Sequence, residues 1–266
     1  MIKINRLFIF IMKYFLSLGI MFYSMTFGIF TKKGRSFLIN ILNFHNISFM
    51  EESIITNLQK IASDSVMAKD KIEMVESSAK DGNVTIEELA IINGIVKKEN
   101  PNKIFEIGTF DGRTTINMAY NSKDHCKIFT LDLPQENLST TKYKINAYDK
   151  SLINKPISGE RILKTNLECK KKITQLYGDS ASYDFSSYYN SIDLVFIDGA
   201  HDFNNALNDS ITAIKLVNNN GIIIWHDYKN NMPVVKAVDS FNTLNPKLKI
   251  YHIQGSSLAY CKVELS

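Results

Sequence analysis

The sequence predicts an α/β protein: one doubly wound, mostly parallel sheet of seven strands, the last of them antiparallel, with a helical appendage at the N-terminus. Three observations predict it. From Pro101 onward short β-branched runs alternate with segments of helical period, the pattern of β-α-β units. Asp193-Leu-Val-Phe-Ile197 and Ile222-Ile-Ile-Trp225 are apolar without alternation, as strands covered on both faces must be. The chain has 266 residues, enough for one such domain and an appendage but short for two full domains.

The elements follow in order. Between Leu7 and Phe30 the only charge is Lys13, and the uncharged run 14–30 is at the short end of what crosses a bilayer. Lys3 and Arg6 precede this run, Lys32, Lys33 and Arg35 follow it, and no small-residue cleavage site comes after it. Residues 1–35 therefore read in three ways: a membrane-associated helix, a buried or dimer-forming helix, or an over-extended reading frame whose true start is Met50. Residues 36–83 read as linker or helical cap, and residues 84–266 as the main domain. Thr85-Ile-Glu-Glu88 is a capping box, and Leu89, Ile92 and Ile95 continue it at helical spacing toward a stop near Asn100-Pro101. Strands are predicted over 103–107, 126–131, 173–177, 192–197 and 221–225, with helices over 114–120, 203–217 and 234–241. Segments 248–253 and 257–263, separated by Gln254-Gly-Ser256, read as a closing hairpin. The long connection 133–172 reads as a functional lid or a flexible segment. Its basic cluster, Arg161, Lys164, Lys170, Lys171 and Lys172, is expected to face solvent rather than bind an anion.

Composition removes several classes. With 45% hydrophobic and 22% charged residues the chain is an ordinary globular protein rather than a disordered or collagen-like one. A net charge of +4 is too small for a domain that coats nucleic acid. Cys126, Cys169 and Cys261 form no Cys-x-x-Cys pair, so neither a disulfide framework nor a structural zinc site is expected. Reduced thiols point to a cytoplasmic location, at the inner face of the membrane if the N-terminal segment is an anchor.

The sharpest chemical signal is Ile104-Phe-Glu-Ile-Gly-Thr-Phe-Asp-Gly-Arg-Thr114, a strand that ends in Glu106-x-Gly108-x-x-x-Gly112 and runs into a helix. Glycines there let backbone approach a ligand, and the helix start offers free amides. The dinucleotide fingerprint G-x-G-x-x-G is not met, because position 110 is Phe and Gly112 comes four residues after Gly108. An acid two residues before the first glycine instead suits a ligand with a cationic centre and a free amino group. The sequence here resembles the class I S-adenosylmethionine-dependent methyltransferases, over residues 84–263. The resemblance implies a Rossmann-like fold and a cofactor site of Glu106, Gly108, Thr109 and Gly112 in the first turn. Asp132 is placed on the ribose hydroxyls, Asp179 and Ser180 at the adenine, and Asp198 at the end of the fourth strand.

A second constellation joins Phe196-Ile-Asp198-Gly-Ala-His201 to Trp225-His226-Asp227-Tyr228. Two adjacent strands that both end in Asp place carboxylates on one rim, where oxygen ligands suit magnesium. This resembles the metal-dependent O-methyltransferases of small molecules, particularly the macrolide-sugar type. By that resemblance Asp198 and Asp227 hold a divalent cation and His201 takes the proton. His226 stands where that type has Glu, and Tyr228 where the catechol type has Asn. With His226 as a third ligand, manganese, iron or zinc also fit the donor set. The alternatives for individual residues are Asp202 as a helix cap, Asp198 as a cofactor ligand only, and His226 bonded to backbone.

The expected function is methyl transfer from S-adenosylmethionine to a hydroxyl oxygen of a small molecule or sugar. No nucleic acid is expected; membrane contact and a homo-oligomer remain open. A nucleotide-dependent oxidoreductase on the same architecture and a non-catalytic, membrane-tethered binding protein are the alternatives.

Overall fold

The computed structural model describes residues 58–154, 157–229 and 232–264. The N-terminal segment, with its membrane, buried-helix and late-start readings, lies outside them. Among the described residues no helix is long and apolar enough to cross a membrane.

The elements are β1 (Gln59–Ile61), α1 (Ser63–Val66), α2 (Ile86–Glu99), β2 (Lys103–Ile107), α3 (Arg113–Asn121), β3 (Lys127–Asp132), α4 (Ala147–Ile153) and α5 (Glu160–Lys164). They continue as β4 (Ile173–Tyr177), β5 (Ile192–Ile197), α6 (Phe203–Leu216), β6 (Val217–Trp225), α7 (Pro233–Leu244), β7 (Ile250–Ile253) and β8 (Ala259–Lys262). The sheet has the order β1-β7-β8-β6-β5-β2-β3-β4 and is parallel except for β8, which runs antiparallel to both its neighbours. Among the described residues it holds eight strands rather than the expected seven. The addition is Gln59–Ile61, which pairs parallel with β7; its first two residues, Gln59 and Lys60, are exposed and only Ile61 packs inward, too short a run to show the apolar pattern of the others. β6 also begins earlier than expected, at Val217, because the polar run Asn218–Asn220 continues the backbone path without burying side chains.

Alternation along the central strands explains the double winding. Phe105, Val195, Ile223 and Trp225 enter one core, with Ala213 and Leu216 of α6 and Val238 and Phe241 of α7. Ile104, Leu194, Phe196 and Ile222 enter the other, with Leu89, Ile92 and Ile95 of α2 and Ile116 of α3. Thr85 and Glu88 form the capping box that starts α2, as predicted, and Asp202 caps α6 by accepting from the Asn204 and Asn205 amides.

β2 lies between β3 and β5, so the strand order reverses there. In open α/β sheets ligands bind beyond the carboxyl ends of the strands at such a point. The 133–172 connection is structured around this opening and contributes α4 and α5. Its basic cluster does not all face water. Arg161 is buried, its Nε donating to Asp111 at 2.8 Å and its Nη1 to Glu76 at 3.1 Å. Lys172 donates to the Ala119 and Ser122 carbonyls at the end of α3, where a cation offsets the helix dipole.

Candidate active site

A cavity of about 580 Å³ opens beyond the carboxyl ends of β2 to β5, with Gly108, Asp132, Asp179, Ser180, Asp198 and His201 in its wall. Gly108 has φ +95°, and a Cβ there would lie 2.0 Å from the Asp198 carbonyl oxygen. Only glycine lets the turn after β2 press against the end of β5. Asp132, at the end of β3, accepts from the Thr109 amide at 3.2 Å. Burial pushes its carboxyl up to about 6, against the opposing bonds from Ser158 and the Thr109, Phe110 and Leu133 amides. Asp179 accepts from the Lys142 amide at 2.8 Å and the Ala181 amide at 3.0 Å, which fixes the turn after β4 against the 133–172 segment.

Three residues of the expected cofactor set stand behind this wall rather than in it. Glu106 is fully buried within β2 and accepts from the hydroxyls of Thr115 and Thr130, the latter at 2.6 Å. Burial raises its pKa to about 8 despite those bonds, so near neutral pH it is mostly uncharged and does not supply the attraction expected for a cation. Thr109 directs its hydroxyl to Thr130 and accepts from Gln175. Gly112, at φ +86°, starts α3, and a Cβ there would lie 2.6 Å from Ile162 of α5; its small size serves packing.

The second constellation is drawn together. Asp227 takes φ +57°, which ends β6 and turns its side chain toward the rim already occupied by His226. His226 Nδ1 lies 2.8 Å from Asp198 Oδ1 and 3.4 Å from Asp227 Oδ2, and its Nε2 lies 3.2 Å from Glu88 Oε2. The backbone bond considered for His226 as an alternative is thus not what holds its ring. Burial works against the charged ring, but the surrounding carboxylates hold its pKa well above the ordinary value. Glu88 is held well below the carboxylate range although burial opposes this, because His226, Ser257 and the Thr85 amide all favour its charged form. His201 lies between two carboxylates: Nδ1 is 2.5 Å from Asp149 Oδ1, and Nε2 is 2.6 Å from Asp227 Oδ2. Desolvation is outweighed there, and the His201 pKa rises to about 10. Lys229 completes the group at 2.6 Å from Asp227 Oδ1.

Asp198, His226 and Asp227 each offer one ligand atom, and these atoms lie within 4.8 Å of one another. They border an annex of about 10 Å³ beside the main cavity, on the scale of a single water or ion. Two carboxylates and one imidazole fit a divalent cation in donor chemistry. Asp149 and Glu88 belong to this group but were not read from sequence as functional. Asp149 comes from α4, in a polar stretch whose docking only the tertiary fold reveals. Glu88 already had a complete explanation as the acid of a capping box.

Residues 105–228 match a family model described as a methyltransferase domain. A search of curated proteins finds no match. Among solved structures, the O-methyltransferase TomG from Streptomyces achromogenes, involved in tomaymycin synthesis and crystallised with S-adenosylmethionine, is similar at 15% identity. The match has a TM-score of 0.52 and covers 70% of this chain and 83% of that one. Cofactor-bound Rv0187 from MTB is similar at 16% identity and a TM-score of 0.50, with 77% of this chain and 87% of that one covered. At these identities the likeness is one of fold.

Proposed function

We propose that this chain carries a class I S-adenosylmethionine-dependent methyltransferase domain and that it methylates a hydroxyl oxygen of a small molecule or sugar; the methyltransferase-domain match over residues 105–228 and the fold it shares with TomG support the reading. The observation that carries the reading is the convergence of Gly108, Asp132, Asp179, Ser180 and Asp198 on one cavity. Asp132 offers two acceptor oxygens to the two ribose hydroxyls, and Asp179 with Ser180 meets the adenine. The sulfonium end then lies toward Asp198 and His201. The TomG complex, named as an O-methyltransferase, favours oxygen as the acceptor atom.

Transfer is a displacement: the acceptor oxygen bonds the methyl carbon, the carbon–sulfur bond breaks, and the sulfonium becomes a neutral thioether. Holding oxygen and carbon in line supplies most of the rate enhancement. His201, in the wall of the cavity, would take the hydroxyl proton. Asp149 fixes its Nδ1 and accepts from its backbone amide at 2.9 Å, so that Nε2, held by Asp227 at 2.6 Å, is the nitrogen that would take the proton. The carboxylates of Asp149 and Asp227 favour the protonated ring, so His201 would accept a proton only once Asp227 turns from it. Asp198, His226 and Asp227 would hold a divalent cation, which when bound would lower the pKa of a hydroxyl.

The reading is tested by turnover of hydroxylated acceptors with and without chelator. Asp227→Ala is expected to lose metal-stimulated turnover and retain S-adenosylmethionine binding, and His201→Ala to lower kcat far more than it raises KM. Full activity of the wild type in chelator would remove the metal from the account, and equal effects on kcat and KM would give His201 a structural role.

A further inference from the structure

Glu88 meets more donors than a capping box supplies. Its Oε1 accepts from the Ser257 amide at 2.7 Å and the Ser257 hydroxyl at 2.6 Å, in the turn between β7 and β8. Its Oε2 accepts from the Thr85 amide at 3.0 Å and lies 3.2 Å from His226 Nε2. Glu88 and His226 are both buried. A cap is served equally well by Gln, whose head group has one acceptor oxygen and an amine that only donates. Here N–H groups of Thr85, Ser257 and His226 arrive at both oxygens, so an amide would set donor against donor. Only a carboxylate meets all of them, and the bond to His226 is the one that the start of α2 does not call for.

A carboxylate accepts only, so the hydrogen of that bond sits on Nε2. The other ring nitrogen, Nδ1, faces Asp198 Oδ1 at 2.8 Å and Asp227 Oδ2 at 3.4 Å, the two carboxylates with which His226 forms the candidate cation site. We propose that Glu88 is a positioning residue that makes His226 a cation ligand through Nδ1: by holding the Nε2 hydrogen it fixes which nitrogen is free and how the ring is turned, and it ties the cation site to the start of α2 and to the β7–β8 turn. Imidazoles that ligate a metal donate their second nitrogen to an acceptor of this kind, and its loss costs about tenfold to hundredfold in metal affinity. With both of its oxygens already doubly engaged, Glu88 acts through the ring and not as a further ligand. The inference rests on the cation site of the proposed methyltransferase reading.

The test is nitrogen NMR on the full chain with isotope-labelled histidine, titrated with zinc chloride. In the wild type zinc is expected to shift His226 Nδ1 and to leave the hydrogen on Nε2. Zinc on Nε2, or no response from either nitrogen, would overturn the proposal. By calorimetry, Glu88→Ala is expected to weaken zinc binding by about tenfold or more and to leave S-adenosylhomocysteine affinity unchanged. Unchanged zinc affinity would overturn the proposal, as would a parallel fall for zinc and S-adenosylhomocysteine, which would make Glu88 a residue of the fold alone. The wild-type spectrum needs no variant and keeps the test decisive if Glu88→Ala does not fold. Failure of the wild type to bind S-adenosylhomocysteine would instead overturn the methyltransferase reading itself.

Discussion

Gly108 concentrates the demands of the turn after β2 in one residue. Its φ of +95° and the 2.0 Å approach of a Cβ to the Asp198 carbonyl leave an alanine no relaxed position. Gly108→Ala should cost about 2–4 kcal/mol in urea unfolding and abolish cofactor binding by calorimetry, because the turn must move off the end of β5. Glu106 makes the opposite kind of prediction. Its folded pKa of about 8 lies above the ordinary 4.5, so the fold holds a proton that the unfolded chain releases. The stability this proton brings is complete below about pH 4.5 and is lost as pH rises through about 8. Glu106→Gln should therefore flatten the fall in stability across that window, leaving the variant more stable than the wild type on the alkaline side, as urea unfolding at stepped pH will read. At this scale the sequence showed which acids end strands, since Asp132 and Asp198 follow runs whose type and length are local properties. It could not show which way Glu106 points, because its partners Thr115 and Thr130 come from α3 and β3.

The segment holding α4 and α5 does more than span two strands. The Gly159 amide donates to the Phe110 carbonyl at 2.7 Å, the Arg161 amide to the Asp111 carbonyl at 2.9 Å, and the Arg161 guanidinium to the Asp111 carboxylate. Together they grip the turn that carries Gly108, and α4 brings Asp149 to His201. Arg161→Ala leaves the fully buried Asp111 without its closest charge partner, Lys80 standing 3.9 Å away. The expected cost is about 3 kcal/mol or more in urea unfolding, with S-adenosylhomocysteine affinity falling in parallel; unchanged affinity would uncouple the segment from the turn. Strands 103–107, 173–177 and 192–197 were legible to the residue because an apolar run bounded by turn residues leaves little choice of register. The fate of the basic cluster was not, since the neighbours Lys171, exposed, and Lys172, whose side chain is 9% exposed, differ in nothing but what packs over them. β1 escaped for the reverse reason, as a three-residue strand in which only Ile61 packs against the core.

On the scale of the whole molecule, sheet order, cavity and chemistry form one chain of consequence. The reversal of strand order beside β2 opens the cleft, the double winding covers both faces so that strand ends are the exposed polar feature, and the acids at those ends meet in one space. The alternation of elements made the architecture readable, whereas the two-carboxylate cradle of His201 required folding α4 onto the far end of β6. The most direct measurement is a crystal structure of the chain with S-adenosylhomocysteine. The account predicts the ribose hydroxyls on the Asp132 carboxylate, the adenine beside Asp179 and Ser180, and the sulfur toward Asp198 and His201. A cavity that stays empty, or that takes a dinucleotide with its pyrophosphate at the start of α3, would contradict it.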